Sequence, residues 1–237
     1  EVFYTSAFQR SLATGETYPV VVGHYSDTLR ADAGNRWDMV IANGAAHFFN
    51  GSGDIQSLSF SDGSFKLTVT QPEVVNGAFL TASAYDVEGD GIEEIFVGNW
   101  YDAKVSMLKW NFGFWNPVEI YDFTDVGGAR MNGGAIGDID NDGFVDFFTG
   151  SRGSIPNAQI YRVEYMGGDA MDPMSWRGEV VDELLNETHT QYEVVNLANL
   201  DDDEELEVLY TSDYARGPNT GDDPQVPLVI LNVQTID

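Results

Sequence analysis

Three acidic segments share one pattern, and this repeat constrains the fold more than any other feature of the sequence. They are Asp86–Glu94 (DVEGDGIEE), Asp138–Asp146 (DIDNDGFVD) and Asn199–Glu207 (NLDDDEELE), here called the first, second and third acidic loops. Each carries carboxylate or amide side chains at positions 1, 3, 5 and 9. Each then leads directly into an apolar run, which predicts a loop followed by a β-strand.

The repeat has a period that predicts the fold class. With a degenerate fourth copy upstream that has Asp38 at position 9, the position-9 residues stand at 38, 94, 146 and 207, at intervals of 56, 52 and 61 residues. Several short strands in a repeat of this size are typical of a propeller blade. We therefore expect an all-β single domain, a β-propeller of four four-stranded blades. The expected blade repeats are roughly 18–75, 76–128, 129–187 and 188–237.

The two ends of the sequence suggest how the ring closes. The last repeat stops after a segment that matches a third strand, and residues 1–8 (EVFYTSAF) resemble the fourth strands of other repeats. We expect residues 1–8 to join the last blade, because this pairing would remove an open sheet edge. The alternative is that the chain is a fragment of a larger seven- or eight-bladed propeller.

The acidic loops have the ligand chemistry of a calcium site. Ca²⁺ takes about 6–8 oxygen ligands, often including a backbone carbonyl, whereas zinc prefers His and Cys. The chain has no Cys, and its three His lie outside the loops. Position 12 of the pattern carries no carboxylate, which separates the loops from the helical EF-hand. About three Ca²⁺ sites of structural role are therefore expected. Their ligands would be Asp86, Glu88, Asp90, Ile92 and Glu94; Asp138, Asp140, Asp142, Phe144 and Asp146; and Asn199, Asp201, Asp203, Glu205 and Glu207, with Ile92, Phe144 and Glu205 contributing carbonyl oxygens.

At these residues the sequence resembles the FG-GAP or VCBS repeat family, the integrin-α type of calcium-binding β-propeller. The resemblance implies propeller blades, loop-bound calcium and a secreted or cell-surface location. Members of that family serve as adhesion heads, carbohydrate-binding modules and parts of secreted enzymes, so the resemblance does not assign one activity. This chain has four repeats where integrin heads have seven, and it lacks the literal Phe-Gly and Gly-Ala-Pro signatures.

A group of aromatic residues is the second candidate site. The segment Asn111-Phe-Gly-Phe114 predicts the tight turn of a hairpin, with large aromatic side chains near its tip. Exposed aromatic rings can stack on sugars or anchor a protein partner, while the alternative is that they pack between blades. The candidate ligand-binding residues are Trp100, Tyr101, Trp110, Phe114 and Trp115.

The net charge of the chain argues against two classes of binding partner. With 39 acidic and 11 basic side chains the formal net charge is −28, which argues against nucleic acid and anionic membrane surfaces as partners. No apolar run approaches the roughly 20 residues that a membrane span needs.

No catalytic motif stands out, and an enzyme is the less favoured class. We expect a recognition or adhesion module for carbohydrate or protein ligands. The alternatives are a secreted polysaccharide lyase or hydrolase, or its propeller domain, and a self-assembling structural subunit of a surface layer or filament.

Overall fold

The computed structural model describes most of the central part of the chain and short stretches at its two ends. The described residues are 2–4, 8–10, 17–19, 37–50, 52–61, 64–127, 130–151, 158–184, 191–200, 204–213 and 228–231. Two short 3₁₀ segments, Thr124–Val126 and Pro173–Ser175, are the helical elements of this part, and the rest of its regular structure is β-strand. The expectation of an all-β protein is confirmed.

The strands follow one another in four large sheets after a small N-terminal one. The small sheet contains β1 (Val2–Tyr4), β2 (Phe8–Arg10) and β3 (Thr17–Pro19). Sheet I contains β4 (Trp37–Ala42), β5 (Ala45–Asn50), β6 (Ile55–Ser61) and β7 (Ser64–Gln71). Sheet II contains β8 (Ala78–Tyr85), β9 (Glu94–Asn99), β10 (Lys104–Asn111) and β11 (Phe114–Asp122). Sheet III contains β12 (Met131–Gly137), β13 (Asp146–Ser151), β14 (Ala158–Tyr165) and β15 (Trp176–Leu184). Sheet IV contains β16 (Gln191–Ala198), β17 (Glu207–Asp213) and β18 (Leu228–Leu231).

Each large sheet is an antiparallel meander in which consecutive strands pair. A parallel bridge, Gly133↔Val194, joins β12 to β16, so that sheets III and IV form one seven-stranded sheet. The first strands of the four sheets lie side by side in the order β4, β8, β12 and β16. The Ser83 hydroxyl on β8 donates to the carbonyl of Gly134 on β12 at 3.0 Å.

The core lies between successive sheets. Every residue of β9 and of β13 is buried, and successive side chains of a strand point to opposite faces. On β9, Ile95 packs in the cluster shared with sheet I and Phe96 in the cluster shared with sheet III. On β13, Phe147 joins the cluster shared with sheet II and Phe148 the one shared with sheet IV. The two central sheets are therefore covered on both faces.

The N-terminal segment has a partner different from the expected one. β1 pairs with β2 in the register Phe3↔Gln9, and among the described residues β18 pairs with β17 and with no other strand. A pairing between neighbouring strands closes a loop of a few residues, whereas pairing with β18 would close one of more than two hundred. The shorter loop costs less chain entropy.

Only the last part of the upstream copy of the repeat is described, since residues 20–36 lie outside the described residues. Asp38, expected at the start of a second strand, lies inside β4, opposite Phe49 of β5. The connection that corresponds to an acidic loop is the turn at Asn43 and Gly44, where φ is 50° and 71°. Positive φ at both central residues is what a two-residue type I′ hairpin requires, and Asn-Gly is its preferred sequence. Sheet I thus has a short turn where sheets II to IV have acidic loops.

Among the described residues, no helix is both long and apolar enough to cross a membrane.

Candidate functional site: the acidic loops

All three acidic loops connect the first strand of a sheet to its second strand. Position 9 of each loop is the first residue of that second strand: Glu94 begins β9, Asp146 begins β13 and Glu207 begins β17. Because the first strands lie side by side, the loops come together at one end of the sheets. Two cross-contacts join the second loop to the third: the Asn141 side-chain amide donates to the carbonyl of Glu204 at 2.5 Å, and the Leu206 amide donates to that of Ile139 at 2.9 Å.

The position-1 aspartate organises the backbone of its loop. The two carboxylate oxygens of Asp86 accept hydrogen bonds from the amides of Asp90 and Gly91, at 3.1 and 2.8 Å. Gly91 has φ of 84°, a left-handed conformation that glycine adopts without steric cost. The second loop repeats the arrangement, with Asp138 accepting from Asp142 and Gly143 at 3.1 and 3.0 Å and with Gly143 at φ 90°.

The position-9 carboxylate is buried and only half satisfied in the first and third loops. One oxygen of Glu94 accepts from the Val87 amide at 3.1 Å, and one oxygen of Glu207 accepts from the Leu200 amide at 2.6 Å. The second oxygen of each is buried and has no hydrogen-bond partner within the described part of the chain. Burial raises the pKa of Glu94 to about 7, and the negative charges of Glu88 and Asp90 add to the shift. A buried carboxylate oxygen without a donor suits a cation as its partner, so these two residues fit a hard metal ion.

The second loop brings three carboxylates together but satisfies its position-9 residue in another way. Asp138, Asp140 and Asp142 each place an oxygen within 4.8 Å of the others, a spacing that could hold a metal ion. Asp146 uses both oxygens: one accepts from the Ile139 amide at 3.3 Å and the other from the Arg162 guanidinium at 2.6 Å. Burial raises the pKa of Asp146 above its ordinary value, and Arg162 opposes that shift.

Two basic side chains from neighbouring strands reach these loops. Lys109, on β10, forms an ion pair with Glu88 at position 3 of the first loop. Arg162, on β14, donates to Asp146 and also, at 2.9 Å, to Asp140 at position 3 of the second loop. Burial would lower the pKa of Arg162, but the hydrogen bond and charge of Asp146 outweigh it and raise the pKa. Sequence reasoning missed both cations, because they lie 21 and 22 residues from the position-3 acids with which they pair, on another strand.

The other predicted ligands are placed less completely. Asn199 and Glu205 of the third loop are among the described residues, whereas Asp201 and Asp203 lie outside them. Ile92 and Phe144 are the residues expected to offer carbonyl oxygens at position 7. Their side chains are partly exposed. Their amides donate to the position-5 carboxylates Asp90 and Asp142, at 2.9 and 2.7 Å.

The candidate aromatic residues do not form one surface. Trp115 is only 2% exposed and packs edge-on against Trp110, with ring centroids 5.2 Å apart, so it belongs to the core. Trp100 is half-buried beneath the guanidinium of Arg130, 5.6 Å from its ring centre. Phe114 is exposed at the hairpin tip. Tyr101 is exposed at the opposite end of β10, a strand of eight residues that spans about 25 Å.

The hairpin turn was predicted correctly, but its most exposed ring was not among the candidates. Asn111 pairs with Phe114, and Phe112 and Gly113 between them have φ of 52° and 90°. Phe112 is 89% exposed. A bulky residue in the left-handed region is uncommon and strained.

A polar cleft between sheets I and II is a feature that the sequence did not indicate. Its volume is about 520 Å³, and its polar lining includes Glu73, Asn76, Asn99, Asp102, Ser106 and Glu119. One Asp102 oxygen accepts from the Asn76 side-chain amide at 2.7 Å. The other is buried without a hydrogen-bond partner among the described residues. Exposed Tyr101 stands beside the cleft, its amide donating to the Asn76 carbonyl at 3.3 Å.

Comparison with known proteins adds no relative to this picture. No protein-family model matches the sequence, and no curated protein matches it.

Proposed function

We propose that the four large sheets are blades of a β-propeller whose acidic loops bind calcium and whose function is recognition. Three features support the propeller. The sheets follow one another as meanders, their first strands lie side by side, and apolar clusters fill the spaces between successive sheets. These are the relations between blades around a propeller axis.

The observation that carries calcium binding is the buried, half-satisfied carboxylate at position 9. A buried acceptor without a donor costs about 1–3 kcal/mol, and Glu94 and Glu207 present this feature at equivalent points of two loops. A cation bound there would offset that cost and would draw on the oxygens of positions 1 and 5. Its chemical contribution would be to join the first two strands of a sheet that carries such a loop electrostatically. The calcium is therefore proposed as structural.

Calcium binding is tested by thermal unfolding with and without chelator. We expect Ca²⁺ to raise the melting temperature and Asp86→Asn to reduce that gain, because Asp86 holds the loop backbone and would supply a ligand. Asp125→Asn, which changes an exposed acid outside the loops, is the matched control and should keep the full gain. Identical melting curves with calcium and with chelator would contradict the proposal.

The polar cleft is the surface that we propose for ligand recognition. Its lining combines carboxylates, side-chain amides and hydroxyls, and an aromatic ring is exposed beside it. This is a lining suited to a neutral saccharide, whose hydroxyls can donate to Asp102 and whose ring can stack on Tyr101. A secreted or cell-surface location is part of the same proposal, since such ligands are met there.

A glycan array with purified protein tests the recognition function. We expect saccharide binding that falls at least tenfold in Tyr101→Ala and in Asp102→Asn. Phe112→Ala removes an exposed ring at the opposite end of sheet II and should leave binding unchanged. Cleavage of a polysaccharide would instead favour the enzyme alternative, and ordered polymers at micromolar concentration would favour the structural subunit.

A further inference from the structure

The second acidic loop differs from the first at the atom where a cation is most needed. In the first loop the position-9 carboxylate keeps one buried oxygen without a donor, whereas in the second loop the Arg162 guanidinium occupies that oxygen. The same side chain holds Asp140 at position 3. The guanidinium therefore already binds two of the four side chains that a metal ion in this loop would need.

The guanidinium is fixed in this place by its surroundings. Arg162 is 7% exposed, and besides Asp140 and Asp146 it forms ion pairs with Glu164 at 3.5 Å and Glu179 at 3.4 Å. It cannot turn away from the loop without leaving the buried carboxylates of Asp140 and Asp146 without their cation, which is strongly unfavourable. A divalent ion next to it would in addition be repelled by a positive charge at close range.

Lys109 at the first loop is a useful contrast. It pairs with Glu88 at position 3, but it forms no ion pair with Glu94 among the described residues, and its ammonium is partly exposed on a flexible stem. A single contact of that kind can be exchanged for a metal ion at lower cost than the buried network of Arg162.

We infer that Arg162 acts as a built-in cation that takes the place of calcium in the second acidic loop. The first loop then binds the metal and the second is closed without it, although Asp138, Asp140 and Asp142 look the more regular in sequence. The inference rests on the proposed calcium binding and assigns it unequally to the loops.

Calcium stoichiometry measured by equilibrium dialysis tests this assignment. In the wild-type background we expect Asp86→Asn to lose one bound Ca²⁺ and Asp138→Asn to lose none. Arg162→Met should gain one, and the double variant Arg162→Met with Asp138→Asn should lose it again. Lys109→Met is the matched control, which removes the loop-contacting cation of sheet II and should add no site.

The outcomes separate this inference from the proposal on which it rests. Loss of one Ca²⁺ from Asp138→Asn in the wild-type background would overturn the role of Arg162 while leaving calcium binding intact. Absence of any calcium binding by the wild type would instead contradict the proposed calcium-binding function of the loops. If Arg162→Met folds poorly, the effect of calcium on its melting temperature is the test. Calcium should raise the melting temperature of Arg162→Met by clearly more than it raises that of the wild type. An equal rise in both proteins contradicts the inference.

Discussion

His47 is a buried imidazole with both ring nitrogens engaged. Nε2 lies 3.0 Å from the Ala42 carbonyl, which can only accept, so this nitrogen carries the proton. Nδ1, 2.7 Å from the Ser57 hydroxyl, is then free to accept from it. Burial lowers the pKa of His47, and the backbone bond to Ala42 and the charge of Glu93 only partly oppose this. The folded protein thus holds the neutral ring.

This residue predicts a pH dependence of stability. Below the unfolded-state pKa of about 6.5, the His47 imidazole binds a proton in the unfolded chain but stays neutral in the folded protein. Its contribution to the free energy of unfolding therefore falls as the pH falls. Above about pH 7 the contribution is fully present. Urea unfolding of the wild type and of His47→Gln between pH 5 and 8 measures it. The wild type should lose more stability than the variant between pH 6.5 and 5, and parallel curves would contradict the prediction.

Phe112 predicts a gain in stability on substitution. Its φ of 52° strains a bulky side chain, and Asn in the same place would complete the Asn-Gly pair that type I′ turns favour. We expect Phe112→Asn to raise the free energy of unfolding by about 1 kcal/mol, measured in urea. Phe114→Asn is the control: it also removes an exposed ring, but from a strand position, and should not stabilise.

At the scale of elements, the packing of sheet II on sheet III depends on a glycine. A Cβ atom added to Gly178 of β15 would lie 2.4 Å from ring atoms of Tyr121 on β11. That ring is itself held against Phe123, with centroids 4.6 Å apart. The two strands are thus in contact because one of them carries no side chain at this point.

Gly178→Ala should therefore destabilise the protein by about 1–3 kcal/mol through overpacking. A double-mutant cycle in urea tests the cause: in a Tyr121→Leu background the same change should cost markedly less, because the smaller side chain leaves room. An equal cost in both backgrounds would place the effect elsewhere.

Elements with a local sequence signal could be predicted, and those that depend on distant strands could not. The loops of sheets II to IV and the turn at Gly113 follow from residues adjacent in sequence. The alignment of the upstream copy relied on Asp38, whereas the described connection between the first two strands of sheet I is an Asn-Gly turn with no acid in it. The contacts of Arg162 and the burial of Trp115 arise only when strands pair and sheets stack, and no local pattern encodes them.

At the scale of the whole molecule, the large sheets share one strand order but differ in the connection between their first two strands. The connection between the first two strands is a short turn in sheet I, a loop with a half-satisfied buried carboxylate in sheet II, and an arginine-closed loop in sheet III. The turn of sheet I is hydrogen-bonded to the first acidic loop, because the backbone amide of Asn43 donates to the Glu93 carboxylate at 2.7 Å. The Glu93 amide donates in return to the Asn43 side chain at 2.8 Å. The same end of each sheet is thus closed by different chemistry.

The net charge of −28 acts on the molecule as a whole and predicts a salt effect. With 39 acidic and 11 basic side chains, repulsion among like charges outweighs attraction, and compaction increases it. The Debye length falls from about 30 Å at 0.01 M salt to about 3 Å at 1 M. In chelator, the melting temperature should therefore rise as NaCl is increased over this range. A fall would mean that the surface ion pairs matter more than the excess charge.

The same screening separates bound calcium from calcium acting only as a counter-ion. At 1 M NaCl long-range repulsion is already screened, whereas an ion held by buried oxygens of a loop is screened much less. A few millimolar Ca²⁺ added at this salt concentration should therefore still raise the melting temperature of the wild type. Asp86→Asn should lose a large part of that rise, and Mg²⁺ should produce less of it, because magnesium demands a tighter octahedral site and keeps its water. Equal effects of the two ions at high salt would mean that both act by general charge neutralisation.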